Sequence, residues 1–236
     1  MLYKIAELNV YLPGSGGMKS RARDYLYQGD EIVEVEISEE KYNPVFYPDC
    51  FREEDVAYMS SGSQFYRALI DFNGLMLHSS AVALDGKAYL FSGPCGRGKS
   101  THTRLYQQIW GDEVKNFNDD KPALRRLDDK WYAYGTPWCG KDGININMKV
   151  PLAGICFLEK GDKNEIQRLS EKEAVTKILS QTLHKIGNPA KLCLLLDHIE
   201  KLVKEIPVYQ LTNKPEPDAA RLSYETMRRG AEEAGL

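Results

Sequence analysis

Nine consecutive residues, Gly93-Pro94-Cys95-Gly96-Arg97-Gly98-Lys99-Ser100-Thr101, carry the strongest chemical signal in this chain. They fit the spacing G-x-x-x-x-G-K-[ST] at each fixed position. Glycines at 93, 96 and 98 let the backbone turn tightly and aim successive N–H groups at one anion. Lys99 then supplies positive charge for β- and γ-phosphates, and Ser100 a hydroxyl for Mg²⁺. The spacing predicts a bound nucleoside triphosphate, ATP with Mg²⁺, cradled by residues 93–101.

Three further features bear on what happens to that nucleotide. Asp119-Asp120 follows Ser100 by nineteen residues. Paired carboxylates there can divide the work, one holding Mg²⁺ and the other accepting a proton from an attacking hydroxyl. Adjacent acids also raise each other's proton affinity, which would suit a base working near neutral pH. His78 lies fifteen residues before Gly93, on the arm that a hairpin turn would fold back beside the loop. From there it would reach the γ-phosphate or the acceptor. The segment from Gly135 to Gly143 is a glycine-punctuated connection carrying Trp138, Lys141 and Asp142, a candidate substrate loop. The other histidines, His102, His184 and His198, sit on expected helices as packing or surface residues.

The elements that must position these groups are legible from pattern. Leu75–Leu84 and Lys87–Ser92 flank Asp85-Gly86, a pair suited to a type I′ hairpin, so the loop strand is the second arm of a hairpin. An antiparallel arm ahead of the loop points to a mixed sheet. A helix follows the loop, its N-terminus favouring phosphate. Ala123–Leu127 and Lys130–Tyr134 form a second hairpin about Asp128-Asp129, and Ile144–Met148 and Leu152–Leu158 read as strands, the last apolar enough to be central. Ser170 with Glu173 makes a capping box for a helix reaching Ile186; Asn188-Pro189 starts another, Pro207–Leu211 is a strand, and Asp218–Ala234 a terminal helix. Before the core, residues 13–17 read as a flexible turn, Glu31–Ile37 alternates as a half-buried strand, 43–52 has no clear period, and Ser63–Phe72 reads as a short helix. The expected division is a small β-rich segment over 1–72, packed on an α/β domain over 73–236.

Composition narrows the classes. The chain has 236 residues, with 31 basic and 34 acidic side chains for a formal charge of −3. No segment concentrates Lys and Arg, so a nucleic-acid partner is not expected. No apolar run approaches membrane-spanning length, and Lys4 and Glu7 interrupt the apolar N-terminal stretch, so neither a membrane partner nor a signal peptide is expected. The 5 cysteines lack C-x-x-C spacing, which suits a reducing cytoplasm.

Taken together, from about Gly74 to Leu158, the upstream histidine, the strand–loop–helix, the Asp-Asp pair and the stretch Gly140-Lys141-Asp142-Gly143-Ile144-Asn145-Ile146 resemble the HPr kinase/phosphorylase catalytic domain. That domain belongs to the fold group of the ATP-using phosphoenolpyruvate carboxykinases. The resemblance implies an α/β P-loop kinase core with a mixed sheet and a helical C-terminal part. It implies His78 in the active site, Lys99 on the transferring phosphoryl group, and Ser100, Asp119 and Asp120 at the metal. Asp120 would deprotonate the acceptor serine, with Asp119 supporting it or the metal. A homo-oligomer is implied as well. Trp138 stands where that family has a metal-binding glutamate, Gly140 replaces its arginine, and the first 70 residues do not match its regulatory domain. Those departures mark a divergent relative. The expectation is a Mg²⁺-ATP-dependent kinase acting on a serine-like hydroxyl of a peptide, protein or small metabolite. The alternatives are a nucleotide-binding regulator or maturation chaperone without transfer, and a carboxykinase-type lyase.

Overall fold

The computed structural model describes residues 1–13, 18–29, 32–39, 53–183 and 187–236. Residues 14–17 of the expected turn, the 43–52 stretch, Glu31, His184 and Ile186 lie outside these residues. In chain order the elements are β1 (Leu2–Ile5), β2 (Leu8–Tyr11), α1 (Met18–Ala22), β3 (Val35–Glu36), α2 (Glu53–Leu69), β4 (Gly74–Met76), β5 (Ser79–Leu84) and β6 (Lys87–Ser92). They continue with α3 (Lys99–Trp110), β7 (Lys115–Asp120), β8 (Ala123–Leu127), β9 (Lys130–Tyr134), β10 (Lys149–Lys160), β11 (Glu165–Arg168), α4 (Glu171–Ser180), α5 (Pro189–Glu205), β12 (Val208–Asn213) and α6 (Pro217–Glu233).

The expected α/β class with a mixed sheet holds. A nine-stranded sheet runs β4-β8-β9-β10-β6-β5-β7, with β12 beside β10 and β11 beside β12. Strand β10 pairs parallel with β6 and β12, and antiparallel with β9. Strand β6 shows why it sits centrally. Ala88 and Leu90 face a cluster with Ile178, Leu195 and Ile199 of α4 and α5, while Tyr89 and Phe91 face Tyr106 of α3 and Met227 of α6. Successive side chains on a strand point to opposite faces, so a strand buried on both reads as an unbroken apolar run.

A separate three-stranded sheet, β1-β2-β3, packs with α2. Its cluster also takes in Ala123, Tyr134 and Trp138 of the large-sheet region.

The expected turns are present: Asp85 and Gly86 have φ of 52° and 72°, and Asp128 and Asp129 of 47° and 61°. Both fit type I′ geometry. The capping box at Ser170 and the Asn188 cap start α4 and α5 as anticipated.

Several elements differ. Leu75–Leu84 is not one arm. The chain leaves β8 after Met76 and joins β6 and β7 at Ser79, and between them Gln181 O takes the His78 N–H at 2.8 Å. Ile144–Met148 forms no ladder beyond a single bridge from Asn145 to Asn118. Asn145 and Asn147 instead donate from their side chains to the carbonyls of Arg21 and Asp24, and Ile146 stays exposed. Helix α4 stops at Ser180, leaving Leu183 outside it, while α2 begins ten residues before the expected start at Ser63. The strand expected over 31–37 shrinks to Val35–Glu36. Among the described residues, no helix is long and apolar enough to cross a membrane.

Candidate functional site

The sheet delivers the glycine loop from the end of β6 to the start of α3. Gly93, Gly96 and Gly98 have φ of 139°, 78° and 94°, values that a side-chain-bearing residue adopts only with strain. The same turn leaves the first N–H groups of α3 without helical partners, which suits an anion there. Lys99 is buried and donates from Nζ to the carbonyls of Gly93 (2.8 Å) and Pro94 (3.3 Å). Burial lowers its pKa below the lysine value, and Asp120 and Asp119 offset only part of that.

Behind Lys99, Ser100 Oγ donates to both Asp119 oxygens, at 3.1 and 2.9 Å. The Ser80 hydroxyl, across the β5–β7 pair, donates to the same carboxylate. Asp119 is only 7% exposed. Ser100 and Asp119 together present hard oxygen donors of the kind Mg²⁺ takes. Among the described residues no cluster of three or more His, Cys, Asp or Glu could hold a metal ion. Ser100 and Asp119 supply only a few such donors, so a Mg²⁺ held there would need phosphate and water to complete its shell.

Asp120 turns the other way. Its φ is 98°, a conformation that costs an aspartate on the order of 1–3 kcal/mol and persists only where the surroundings impose it. The imposing contacts are explicit. Its backbone bridges Cys139, and Gly140 N–H donates to Asp119 O at 2.6 Å. Asp120 Oδ1 lies 3.0 Å from His78 Nε2 and Oδ2 lies 2.5 Å from Lys121 Nζ. His78 is oriented in turn by Gln181, whose Oε1 lies 3.1 Å from Nδ1. Burial pushes the Asp120 carboxyl up, but the His78 hydrogen bond and the Lys121 ammonium outweigh it, holding the group well below the usual carboxylate range. The expectation that the adjacent acids would raise each other's proton affinity fails at Asp120, because the His78 hydrogen bond and the Lys121 ammonium lower it instead.

Asp120 and Lys121 line a cavity of about 350 Å³. Its wall includes Arg21, Tyr58, Cys139 and Lys141. Tyr58 OH donates to Cys139 O at 2.8 Å and accepts from Lys121 Nζ at 3.0 Å. A second cavity of about 450 Å³ lies on the outer side of the loop, against Gly96, Arg97, Gly98, Thr101, Lys160 and Lys214.

The structure thus brings together His78, Lys99, Ser100, Asp119 and Asp120 around the loop. It separates the three residues expected in a substrate loop. Lys141 lines the cavity, and Asp142 pairs with Arg104 of α3 at 2.6 Å. Trp138 is a correction: it is fully buried, stacked on Phe65 with centroids 4.8 Å apart, and its Nε1 donates to Ser61 Oγ at 3.0 Å. An indole this apolar gains more from the core than from a wet loop. A Cβ at Gly62 would come 2.9 Å from Trp138 Cδ1, so α2 needs glycine there to approach. Arg97 and Cys95 are exposed on the loop. His102 and His198 are buried packing residues; burial pulls His102 down to about 3, so it stays neutral. Sequence reasoning missed Arg21, Tyr58, Ser80, Lys121 and Gln181.

A family model described as "SynChlorMet cassette protein ScmC" matches residues 51–214, and the chain belongs to that family. No curated protein matches. Among solved structures, the HPr(Ser) kinase/phosphatase from Coxiella burnetii is similar over 66% of this chain and 90% of that one, with 13% identity and a TM-score of 0.37. A likeness that slight bears no weight for activity.

Proposed function

For this ScmC-family chain we propose a Mg²⁺-ATP-dependent phosphotransferase that moves the γ-phosphoryl group to a serine-like hydroxyl. The observation that carries the reading is the split of two adjacent carboxylates. Asp119 is bound to Ser100 beside the glycine loop, while Asp120 is held by His78 on the wall of a cavity. Phosphoryl transfer asks little covalent chemistry of a protein; it asks that phosphates be held, charge be neutralised and the acceptor be aligned.

In this reading the loop N–H groups and α3 hold the phosphates, and Lys99 gives its ammonium to the β- and γ-phosphate oxygens. Ser100 and Asp119 would hold Mg²⁺, which when bound neutralises phosphate charge. Asp120 accepts a hydrogen bond from the acceptor hydroxyl in the cavity. The acceptor oxygen bonds to the γ-phosphorus as the bond from that phosphorus to the β–γ bridging oxygen breaks. ADP leaves with the electron pair, and the acceptor proton passes to Asp120. A carboxylate held this low is a weak base at rest. It takes the proton late, once bonding to phosphorus has made the hydroxyl acidic.

Calorimetry with Mg²⁺-ATP tests the first half of the reading. Lys99→Ala is expected to weaken binding about tenfold or more, about 1.4 kcal/mol upward. Equal affinity in both proteins would reduce the loop to a turn. Radiolabelled ATP and a panel of hydroxyl compounds test the second half. ATP binding with no labelled product from any acceptor would replace the kinase reading with that of a nucleotide-binding regulator.

A further inference from the structure

The cavity beside Asp120 carries charge that the transfer step does not use. Arg21 projects from α1 into its wall, half-buried, with its guanidinium 5.0 Å from the centre of the Tyr58 ring. Its Nη1 donates to Cys139 O at 3.1 Å and lies 3.0 Å from Cys139 Sγ. These partners are neutral: burial outweighs the opposing charge of Arg21 and pushes the Cys139 thiol up. Among the described residues no carboxylate pairs with Arg21. Lys141, exposed on the same wall, likewise forms no ion pair among them. Lys121 differs, since Asp120 and Tyr58 engage it. Glu54 and Asp55 also reach this wall and have interactions of their own.

An arginine placed over an aromatic ring and fixed through one nitrogen keeps other N–H donors available. Such a planar fork matches a carboxylate better than any neutral group. Its anchor, Cys139, is the residue that bridges Asp120, so one hydrogen bond ties the fork to the backbone beside the proton acceptor. The cavity has room for a small molecule or one or two residues of a peptide.

Resting on the phosphotransferase reading, we propose that the acceptor carries a carboxylate close to the hydroxyl that is phosphorylated, and that Arg21, assisted by Lys141, selects it. The carboxylate can belong to a free hydroxy acid or hydroxy amino acid, or to an acidic residue flanking a serine in a peptide. The chemistry recognised is the same.

The test measures binding of matched pairs to the full chain with Mg²⁺ and a non-hydrolysable ATP analogue. The pairs are L-serine and L-serinamide, glycerate and glycerol, and the blocked dipeptides Asp-Ser and Asn-Ser. The acid member of at least one pair is expected to bind about tenfold more tightly. The free acids or the dipeptide will show which source the cavity accepts. Arg21→Gln should erase the preference, Arg21→Lys should restore part of it, and Lys141→Gln, at an exposed position, should reduce it several-fold. Equal binding of neutral members, no binding by any acid member, or an acid preference that survives Arg21→Gln in a folded protein would each overturn the proposal. Analogue affinity is read in the same samples. Its retention confines a failure to the acceptor assignment, whereas its absence from the unsubstituted protein would sink the phosphotransferase reading.

Discussion

Asp119 and Asp120 adjoin each other, yet the two sides of the molecule they face are built in opposite ways. The loop side comes from contiguous sequence: β6, residues 93–98 and α3, closed by Ser80 of β5 and Asp119 of β7. The cavity side is assembled from α1, α2, Lys121 and residues 139–141. A strand turns adjacent side chains to opposite faces, and the positive φ of Asp120 completes the divergence. One dipeptide thereby serves a buried, serine-lined recess and a solvent-reached cavity. The difference teaches that adjacency in sequence says little about shared chemistry.

The sharpest way to break the comparison is Asp120→Asn, which keeps shape but cannot take the proton. Phosphoryl transfer, followed with labelled ATP, should fall by roughly 10²–10⁴ with nucleotide affinity held within a few-fold. If Asp119→Asn abolishes transfer while Asp120→Asn is near normal, the roles are reversed. Trp138→Ala attacks the support of the cavity side alone. Removing a stacked, fully buried indole should cost about 3–5 kcal/mol in urea unfolding, and an unchanged midpoint would remove Trp138 from the core. Asp119→Asn acts on the loop side, where the Mg²⁺ concentration for half-maximal turnover should rise about tenfold, since metal held by few protein oxygens depends on each. A larger effect on the acceptor than on Mg²⁺ would erase the distinction between the two sides.

The smallest expected effect concerns Glu7, at the β1–β2 turn. Burial pushes its carboxyl up, but hydrogen bonds from Tyr134 and Lys149 outweigh that and lower its pKa from 4.5. A carboxyl held lower in the folded state contributes stability above its unfolded pKa, and that contribution is lost as pH falls below about 4.5. Glu7→Gln should therefore be slightly less stable than the parent at pH 7, by a gap that narrows as the pH is taken down to 3, compared by urea unfolding. An equal gap at both pH values would show that the carboxylate charge is not what ties this turn to β9 and β10.

The loop side was readable because its signals are local. Glycines at fixed offsets, Asp85-Gly86 at a turn and an apolar strand each constrain their immediate neighbours. The cavity side was not, because Arg21, Tyr58 and Cys139 meet only after the chain folds. The β1–β2 hairpin escaped for another reason: Ala6 and Glu7 hold φ of 50° and 62°, values that neither residue type advertises. Ile144–Met148 misled by its alternation, since its asparagine side chains bond to the α1 region and its backbone meets β7 at a single bridge only. The electrostatics of Asp120 required knowing that His78 arrives from the far end of the β5–β6 hairpin.

Strand β10 also governs the order of assembly. The β5–β6 hairpin can close as soon as it is made, with its glycine loop attached. Its parallel neighbour β10, whose Leu158 carbonyl packs against Gly93, joins only after a long stretch of chain has followed, and β10 in turn awaits β12. Parallel pairings between distant segments form late, because loop closure is unfavourable before the contacts exist to offset it. A chain interrupted before Lys149 would therefore possess the entire nine-residue motif and lack the parallel neighbour it packs against.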